Sequence, residues 1–151
     1  NVFDCENITI ANNTFKSKLS FTGESGYGIE LHDSPNSSVV NNLFYDTGRN
    51  IYPYLDTDSL SESGLEVDYN CHFMSNGIAP AGNPYPNDLW QVNPQLVNVS
   101  DNDFRLKSNS PLIDAGKEVA DVPNDYESLP RPQQTGYDIS DGLFKGFQVF
   151  T

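Results

Sequence analysis

Glu66 and Asp68, separated by one residue in "LEVDY", form the kind of carboxylate pair that glycoside hydrolysis uses. On a strand, residues i and i+2 share one face, which brings two carboxyl groups within the roughly 5–9.5 Å that retaining and inverting mechanisms require. A solvated strand face explains the same pair. Glu30 and His32 in "GIELHD" stand in the same relation, and Tyr27, Tyr52 and Tyr54 offer flat faces on which a sugar ring can stack. A β-eliminating lyase instead needs a base for the proton α to a uronate carboxylate and a cation for the resulting enolate. Lys16, Lys18 and Arg49 are the basic residues of the first half, so such machinery is expected upstream of Asn1. Asp56 and Asp58 in "DTDSLSE", and Asp101 and Asp103 in "DND", can donate oxygens to Ca²⁺, although neither stretch follows the EF-hand pattern. No motif requires a cofactor.

The elements that would hold these residues follow from a repeat. "NNTF" at 12–15, "NNLF" at 41–44 and "NCHF" at 70–73 recur at steps of 29 residues. A period of about 20–50 residues marks a solenoid or propeller. "ITIANNTF", "KLSFTG", "GIELHD", "SSVVNNLFYD" and "LEVDYNCHF" each alternate or carry β-branched residues between Gly, Ser, Asn and Pro punctuation, so each reads as a short strand. Three strands per 29 residues outline a parallel β-helix, predicted to be right-handed, of two to three coils. Asn13 and Asn42 are then expected to stack as an amide ladder at a bend, with Cys71 ending it, and Phe15, Phe44 and Phe73 to form a buried aromatic column. Strict alignment would bury Glu66 and Asp68. The arrangement predicted instead turns Leu65 and Val67 inward and restores the register with a one-residue bulge before Asn70.

Composition agrees with this outline. The chain has 151 residues, enough for one domain, and is rich in Asn, Ser, Asp, Gly and Pro, which favours strands and turns over helices. No stretch approaches the roughly 18 apolar residues of a membrane span. A net charge of −13 repels nucleic acid, disfavours acidic polysaccharides unless cations bridge them, and also serves simple solubility. Cys5 and Cys71 would stand two coils apart, about 9.6 Å along the axis, beyond the roughly 7 Å that a disulfide allows between Cα atoms. Both read as thiols, Cys71 as a buried filler. The Asn-x-Ser/Thr triplets at Asn7, Asn12, Asn36 and Asn98 arise readily by chance in so Asn-rich a chain.

No further Asn-x-x-Phe follows Phe73, and prolines become frequent. Coils are therefore expected over 1–77 and an irregular C-terminal cap over 78–151, packed on the last coil through Trp90, Leu96, Phe104, Leu106, Leu112 and Ile113. The first coil should present open strand edges with Phe3, Ile8 and Ile10 uncovered, a template for end-to-end self-association.

"VDYNCHF", "NPQLVNVSDNDFRLKSNSPLIDAG" and "RPQQTGYDIS" resemble the C-terminal end of secreted right-handed parallel β-helix proteins, the group of chondroitinase-B-like polysaccharide lyases and β-helix glycoside hydrolases. "DFRL" at 103–106 and "SPLIDAG" at 110–116 match that ending, "NPQL" loosely, while "DISDGLF" departs from it. The resemblance implies an extracellular or cell-surface protein whose partner is a polysaccharide. Two function classes remain open: part of a carbohydrate-active enzyme with its main site upstream, or a non-catalytic structural or glycan-binding module that self-associates. Within the matched stretch Gly116 is expected in a left-handed turn, with Asp114 satisfying backbone donors or pairing with Arg131.

Overall fold

The computed structural model describes residues 2–3, 5–16, 27–32, 34–47, 49–54, 64–78, 84–125, 127–132 and 135–140. The strands in chain order are β1 (Val2–Phe3), β2 (Thr9–Ala11), β3 (Thr14–Lys16), β4 (Tyr27–His32), β5 (Ser38–Val40), β6 (Leu43–Tyr45), β7 (Arg49–Tyr54), β8 (Glu66–Asp68), β9 (Cys71–Phe73), β10 (Leu89–Trp90), β11 (Leu96–Asn98) and β12 (Asp103–Leu106). Among the described residues the only helical turn is the short 3-10 segment Val99–Asp101, and no helix is long and apolar enough to cross a membrane. The chain is all-β. Three sheets are wholly parallel, in the orders β1-β4-β7, β2-β5-β8 and β10-β9-β6-β3, while β11 and β12 form an antiparallel pair. The "KLSFTG" stretch, Asp56 and Asp58 lie outside the described residues.

Strands of successive repeats pair in register. Ile10 lies beside Val39 and Val39 beside Val67, while Phe15 lies beside Phe44 and Phe44 beside His72. The first step is 29 residues and the second is 28, which corrects three expectations. No bulge restores a 29-residue register before Asn70. Phe73 lies beside Tyr45, with ring centroids 5.5 Å apart, and His72 takes the aromatic column. Cys71 is not in the ladder; Asn70 is. The reason is burial: the shorter step places Val67, 6% exposed, below Val39 and leaves Glu66 and Asp68 on the other face. Strands also continue past Gly77, since Leu89 pairs with Cys71 and Trp90 with His72. The signature thus occurs four times, as "NNTF", "NNLF", "YNCH" and "NDLW".

Each position of the signature has one task. The first residue turns the chain with positive φ at Asn12 (59°), Asn41 (58°) and Tyr69 (57°), a conformation that Asn tolerates better than most residues. The second carries the ladder. Asn42 Oδ1 accepts from the Asn13 N–H at 3.0 Å and from Asn13 Nδ2 at 3.1 Å; Asn70 Oδ1 accepts likewise from Asn42 at 2.9 and 3.1 Å. Asp88 Oδ1 closes the series by accepting the Asn70 N–H at 2.8 Å. The spare amide hydrogens go to main-chain carbonyls, from Asn42 to Ile10 and Val40 and from Asn70 to Val39 and Asp68. The fourth position fills the core between the three sheets. Phe15 stacks on Phe44 at 5.1 Å, Phe44 on His72 at 5.1 Å, and His72 lies 4.6 Å from Trp90. Ile29, Leu31, Val39, Phe44 and Val67 are buried together there.

The third position faces the other way, into a second core. Leu43 and Cys71 are buried with Leu96, Phe104, Leu112 and Ile139. The C-terminal segment therefore packs along the flank of the repeats rather than over the last coil, and Trp90 belongs to the aromatic column, not to the cap. Burial raises the Cys71 thiol pKa, with the Asp88 carboxylate adding to it, so Cys71 is an inert filler. Cys5 is exposed, and no disulfide joins the two. Asn12 and Asn41 grip the segment: Asn12 Nδ2 donates to the Asp138 carbonyl at 3.0 Å, and Asn41 exchanges bonds of 2.7 and 2.8 Å with the Lys117 main chain. Gly116 is needed for close approach, since a Cβ there would stand 2.8 Å from the Asp138 carbonyl oxygen and 2.9 Å from Asn41 Oδ1. The left-handed residue expected at Gly116 is instead Asp114, with φ 56°.

Asn42→Ala removes a buried side chain that accepts two bonds and donates three ways, leaving main-chain groups of two repeats unsatisfied. The expected cost is about 1–3 kcal/mol, against a few tenths for the exposed Lys107→Ala. Thermal denaturation of both variants checks this, and equal melting temperatures would contradict the ladder.

Candidate ligand-binding cleft

Two of the residues considered for catalysis, Glu66 and Asp68, make contacts that hold the fold. Glu66 Oε1 pairs with Lys117 Nζ at 2.5 Å, with both side chains about two-fifths exposed, and so ties β8 to the C-terminal segment. Asp68 accepts the N–H groups of Tyr69 and Asn87 at 2.9 and 2.8 Å and the Asn87 side-chain amide at 2.7 Å, which fixes the turn into β10. Glu30 and His32 lie on β4, beside Tyr52 and Tyr54 of β7 in the Cα register, with Tyr27 beside Arg49. His32 is partly buried. Asp101 receives the Asn98 side-chain amide at 2.7 Å, and Asp103 holds Arg105 through two bonds of 2.8 and 2.6 Å. That pairing keeps the Asp103 carboxyl below its ordinary range. "DND" is thus turn chemistry around the 3-10 segment. Among the described residues no three His, Cys, Asp or Glu side chains are grouped to hold a metal ion.

A different place collects groups that can bind. Where the C-terminal segment crosses the first repeat, a cleft of about 350 Å³ opens between β12, the 125–132 turn and residues 136–140. That volume is near the lower end of ordinary small-molecule sites, about 300–1,000 Å³. Arg105 and Arg131, Asp125, Glu127 and Asp138, Tyr137 and the exposed Leu129 line it.

Local structure fixes each wall. Asp125 closes its turn by accepting the Leu129 N–H at 2.8 Å through its side chain and the Ser128 N–H at 3.0 Å through its carbonyl, and the Arg131 N–H returns to the Pro123 carbonyl at 2.8 Å. Asp114 accepts the Gly136 N–H at 2.7 Å and the Thr135 hydroxyl at 2.9 Å; the Asp114 N–H donates to Asp138 Oδ1 at 2.8 Å. Ser140 anchors the floor, with its N–H on the Asn41 carbonyl at 2.8 Å and its hydroxyl 2.6 Å from that of Thr14.

The electrostatics are mixed rather than of one sign. Burial raises the pKa of the Asp138 carboxyl, the Asp114 charge adds to this, and the Asp114 N–H and the Arg131 guanidinium oppose it. The Tyr137 phenol is raised by desolvation, then by the neighbouring Glu118 charge. Two guanidiniums, three carboxyls and a phenol beside an apolar rim provide donors and acceptors in several directions, the pattern suited to a polyhydroxylated ligand. Of the residues singled out from sequence, Arg131 lines this cleft, and so do Asn12, Leu106 and Ile113, which sequence marks only as a glycosylation triplet and as packing residues. Asp138 was visible in "GYDIS", but nothing local in that string signals that it meets Asn12 across 126 residues of chain.

Comparison with protein-family models, with curated proteins and with solved structures finds no match to this chain.

Because the folded Asp138 pKa lies above its unfolded value, the stability tied to this proton is fully present below the ordinary carboxylate pKa of about 3.9 and is lost as pH rises through the folded value. Asp138→Asn, which keeps an acceptor for the Asp114 N–H, is therefore expected to melt higher than the wild type at pH 7. The advantage should shrink as pH falls toward 4. Denaturation series at several pH values read this difference directly.

Proposed function

We propose that this chain is the polysaccharide-binding C-terminal portion of a secreted carbohydrate-active protein of the right-handed parallel β-helix type. The observation that carries the functional part is the cleft of about 350 Å³, in which two of the chain's three arginines meet Asp138 and Tyr137 although the chain as a whole is strongly acidic. The in-register stacking of β2-β5-β8 and of β3-β6-β9-β10 around one core supports the architectural part, and right-handed crossover is the ordinary hand for parallel connections. The likeness of "DFRL" and "SPLIDAG" to the ending of β-helix lyases and hydrolases supports the substrate class. Glu66 and Asp68 are committed to Lys117 and Asn87, so in this reading cleavage belongs to repeats other than those described.

A second reading places hydrolysis in the cleft itself. It is favoured by the raised Asp138 carboxyl, a property of general acids, with Asp125 and Glu127 lining the same cleft.

Calorimetric titration with neutral and uronate-containing oligosaccharides, alongside assays for new reducing ends and unsaturated uronate products, separates the two. The proposal expects saturable binding without turnover, weakened about tenfold or more by Arg131→Ala and unaffected by Lys107→Ala. Turnover abolished by Asp138→Asn would establish the second reading, and the absence of binding to every polysaccharide class would remove the first.

A further inference from the structure

Asn76 is the only asparagine of the chain that is followed by glycine. It stands in the exposed turn that leaves β9, where the Gly77 N–H donates to the Met74 carbonyl at 3.1 Å and Gly77 takes φ 77°. The corner asparagines are locked by comparison. Asn12, Asn41, Asn42 and Asn70 are buried, and each gives amide hydrogens to main-chain carbonyls. Asn76 is held differently: its Oδ1 accepts the Ile78 N–H at 2.9 Å, and among the described residues its Nδ2 donates to nothing.

That arrangement prepares the side-chain amide for attack by the next main-chain nitrogen. Gly77 N can close a cyclic imide on Asn76 Cγ, and glycine puts no side chain in the way of the close approach. A Cβ built at Gly77 would meet nothing within 4 Å, so the space around the forming ring is open. The Ile78 N–H is already aimed at the oxygen on which negative charge develops as the nitrogen adds, which is the task of an oxyanion-hole donor. Cyclisation must first break the bond from Gly77 to Met74. In an exposed turn that opening is local and costs little.

We infer that Asn76 is a site of spontaneous covalent modification, deamidation through a succinimide to aspartate and isoaspartate. Gly77 N gives its proton to water or hydroxide and forms the N–Cγ bond; the Cγ–Nδ2 bond then breaks, and the side-chain nitrogen takes up a proton and leaves as ammonia. Water opens the imide. Hydrolysis of the N–Cγ bond gives aspartate, while hydrolysis at the main-chain carbonyl of residue 76 gives isoaspartate, whose main chain runs through Cβ and Cγ. Either product adds a negative charge to a chain that already carries −13. The consequence falls on the preceding residue, because Ser75 grips the buried Asp46 through its N–H at 2.7 Å and its hydroxyl at 2.8 Å and so joins two successive repeats. Isoaspartate lengthens the main chain directly beside that grip and sets a new carboxylate near it, which loosens the corner. The inference stands on the chemistry of this turn and is independent of glycan binding.

The test is prolonged incubation of the full chain at mildly alkaline pH, with peptide mapping by mass spectrometry to locate each conversion and enzymatic methylation to read isoaspartate. Asn76 is expected to convert at least about tenfold faster than Asn36 and Asn109, the asparagines followed by serine. Gly77→Ala, and Gly77→Asp, whose side chain tolerates positive φ better, should each slow the conversion at Asn76 by about tenfold or more, with melting curves confirming that the variants are folded. The aged chain, enriched in isoaspartate, is expected to melt at least about 2 °C below the fresh one. Conversion at Asn76 no faster than at Asn36 and Asn109, an unchanged rate in a folded glycine variant, or an aged chain that melts with the fresh one would overturn the inference.

Discussion

The structure depends on one constraint: a parallel stack of short strands must bring the same corner back to the same place in every repeat, and a buried amide at that corner enforces it. A three-residue strand contributes few main-chain bonds of its own, so register is weakly specified by the ladder of any single pair. An asparagine whose oxygen accepts two bonds from the repeat above, while its nitrogen satisfies carbonyls within its own repeat and the one above, penalises any slip by leaving several buried polar groups unpaired. The aromatic column below the corner adds offset stacking but tolerates exchange, as the succession Phe15, Phe44, His72, Trp90 demonstrates. His72 marks the limit of that tolerance. It is 3% exposed, and neither ring nitrogen finds a hydrogen bond of good geometry among the described residues despite the nearby Asp88 oxygen.

The same four residues also attach the C-terminal segment, which explains why the signature is longer than a ladder alone requires. Asn12 and Asn41 take left-handed conformations and turn their amides to the main chain at Asp138 and Lys117, while Leu43 and Cys71 supply the floor on which Phe104, Leu112 and Ile139 rest. Repeats and segment are thus two faces of one strand-turn-strand unit. The cleft is a by-product of this attachment, bounded on one side by the first repeat and on the other by turns that their own side chains close.

Much of the repeat was legible because its period is local and its residues are of unusual type for a buried column. The all-β class, the parallel strands and the pairing of Asn13 with Asn42 follow from spacing and composition. Asn70 and Phe73 reproduce the Asn-x-x-Phe spacing, yet the third repeat is offset by one residue because the connection from β6 to β8 is one residue shorter than that from β3 to β5. Only the burial of Val67 against the partial burial of Glu66 and Asp68 on the other face decides between the frames. "NDLW" does not stand out as a further copy because its interval is 18 residues and its ladder residue is an acid. The cleft was not legible, for a different reason: Arg105, Arg131 and Asp138 meet only because Asn12, Thr14 and Asn41 hold the segment against the first two repeats, and no string of neighbouring residues encodes a contact across 126 positions. Glu66 and Asp68 illustrate the converse, since i, i+2 spacing fixes their shared face but not the Lys117 and Asn87 side chains they meet there.

The central claim is that Asn42 and Asn70 act as consecutive members of one continuous ladder rather than as two separately satisfied amides. A double-mutant cycle measures this most directly, with urea denaturation of Asn42→Ala, Asn70→Ala and the double variant giving the coupling between the two sites. A continuous ladder predicts a coupling of about 0.5–3 kcal/mol, with the double variant less destabilised than the sum of the singles. Strict additivity, within about 0.5 kcal/mol, would contradict it.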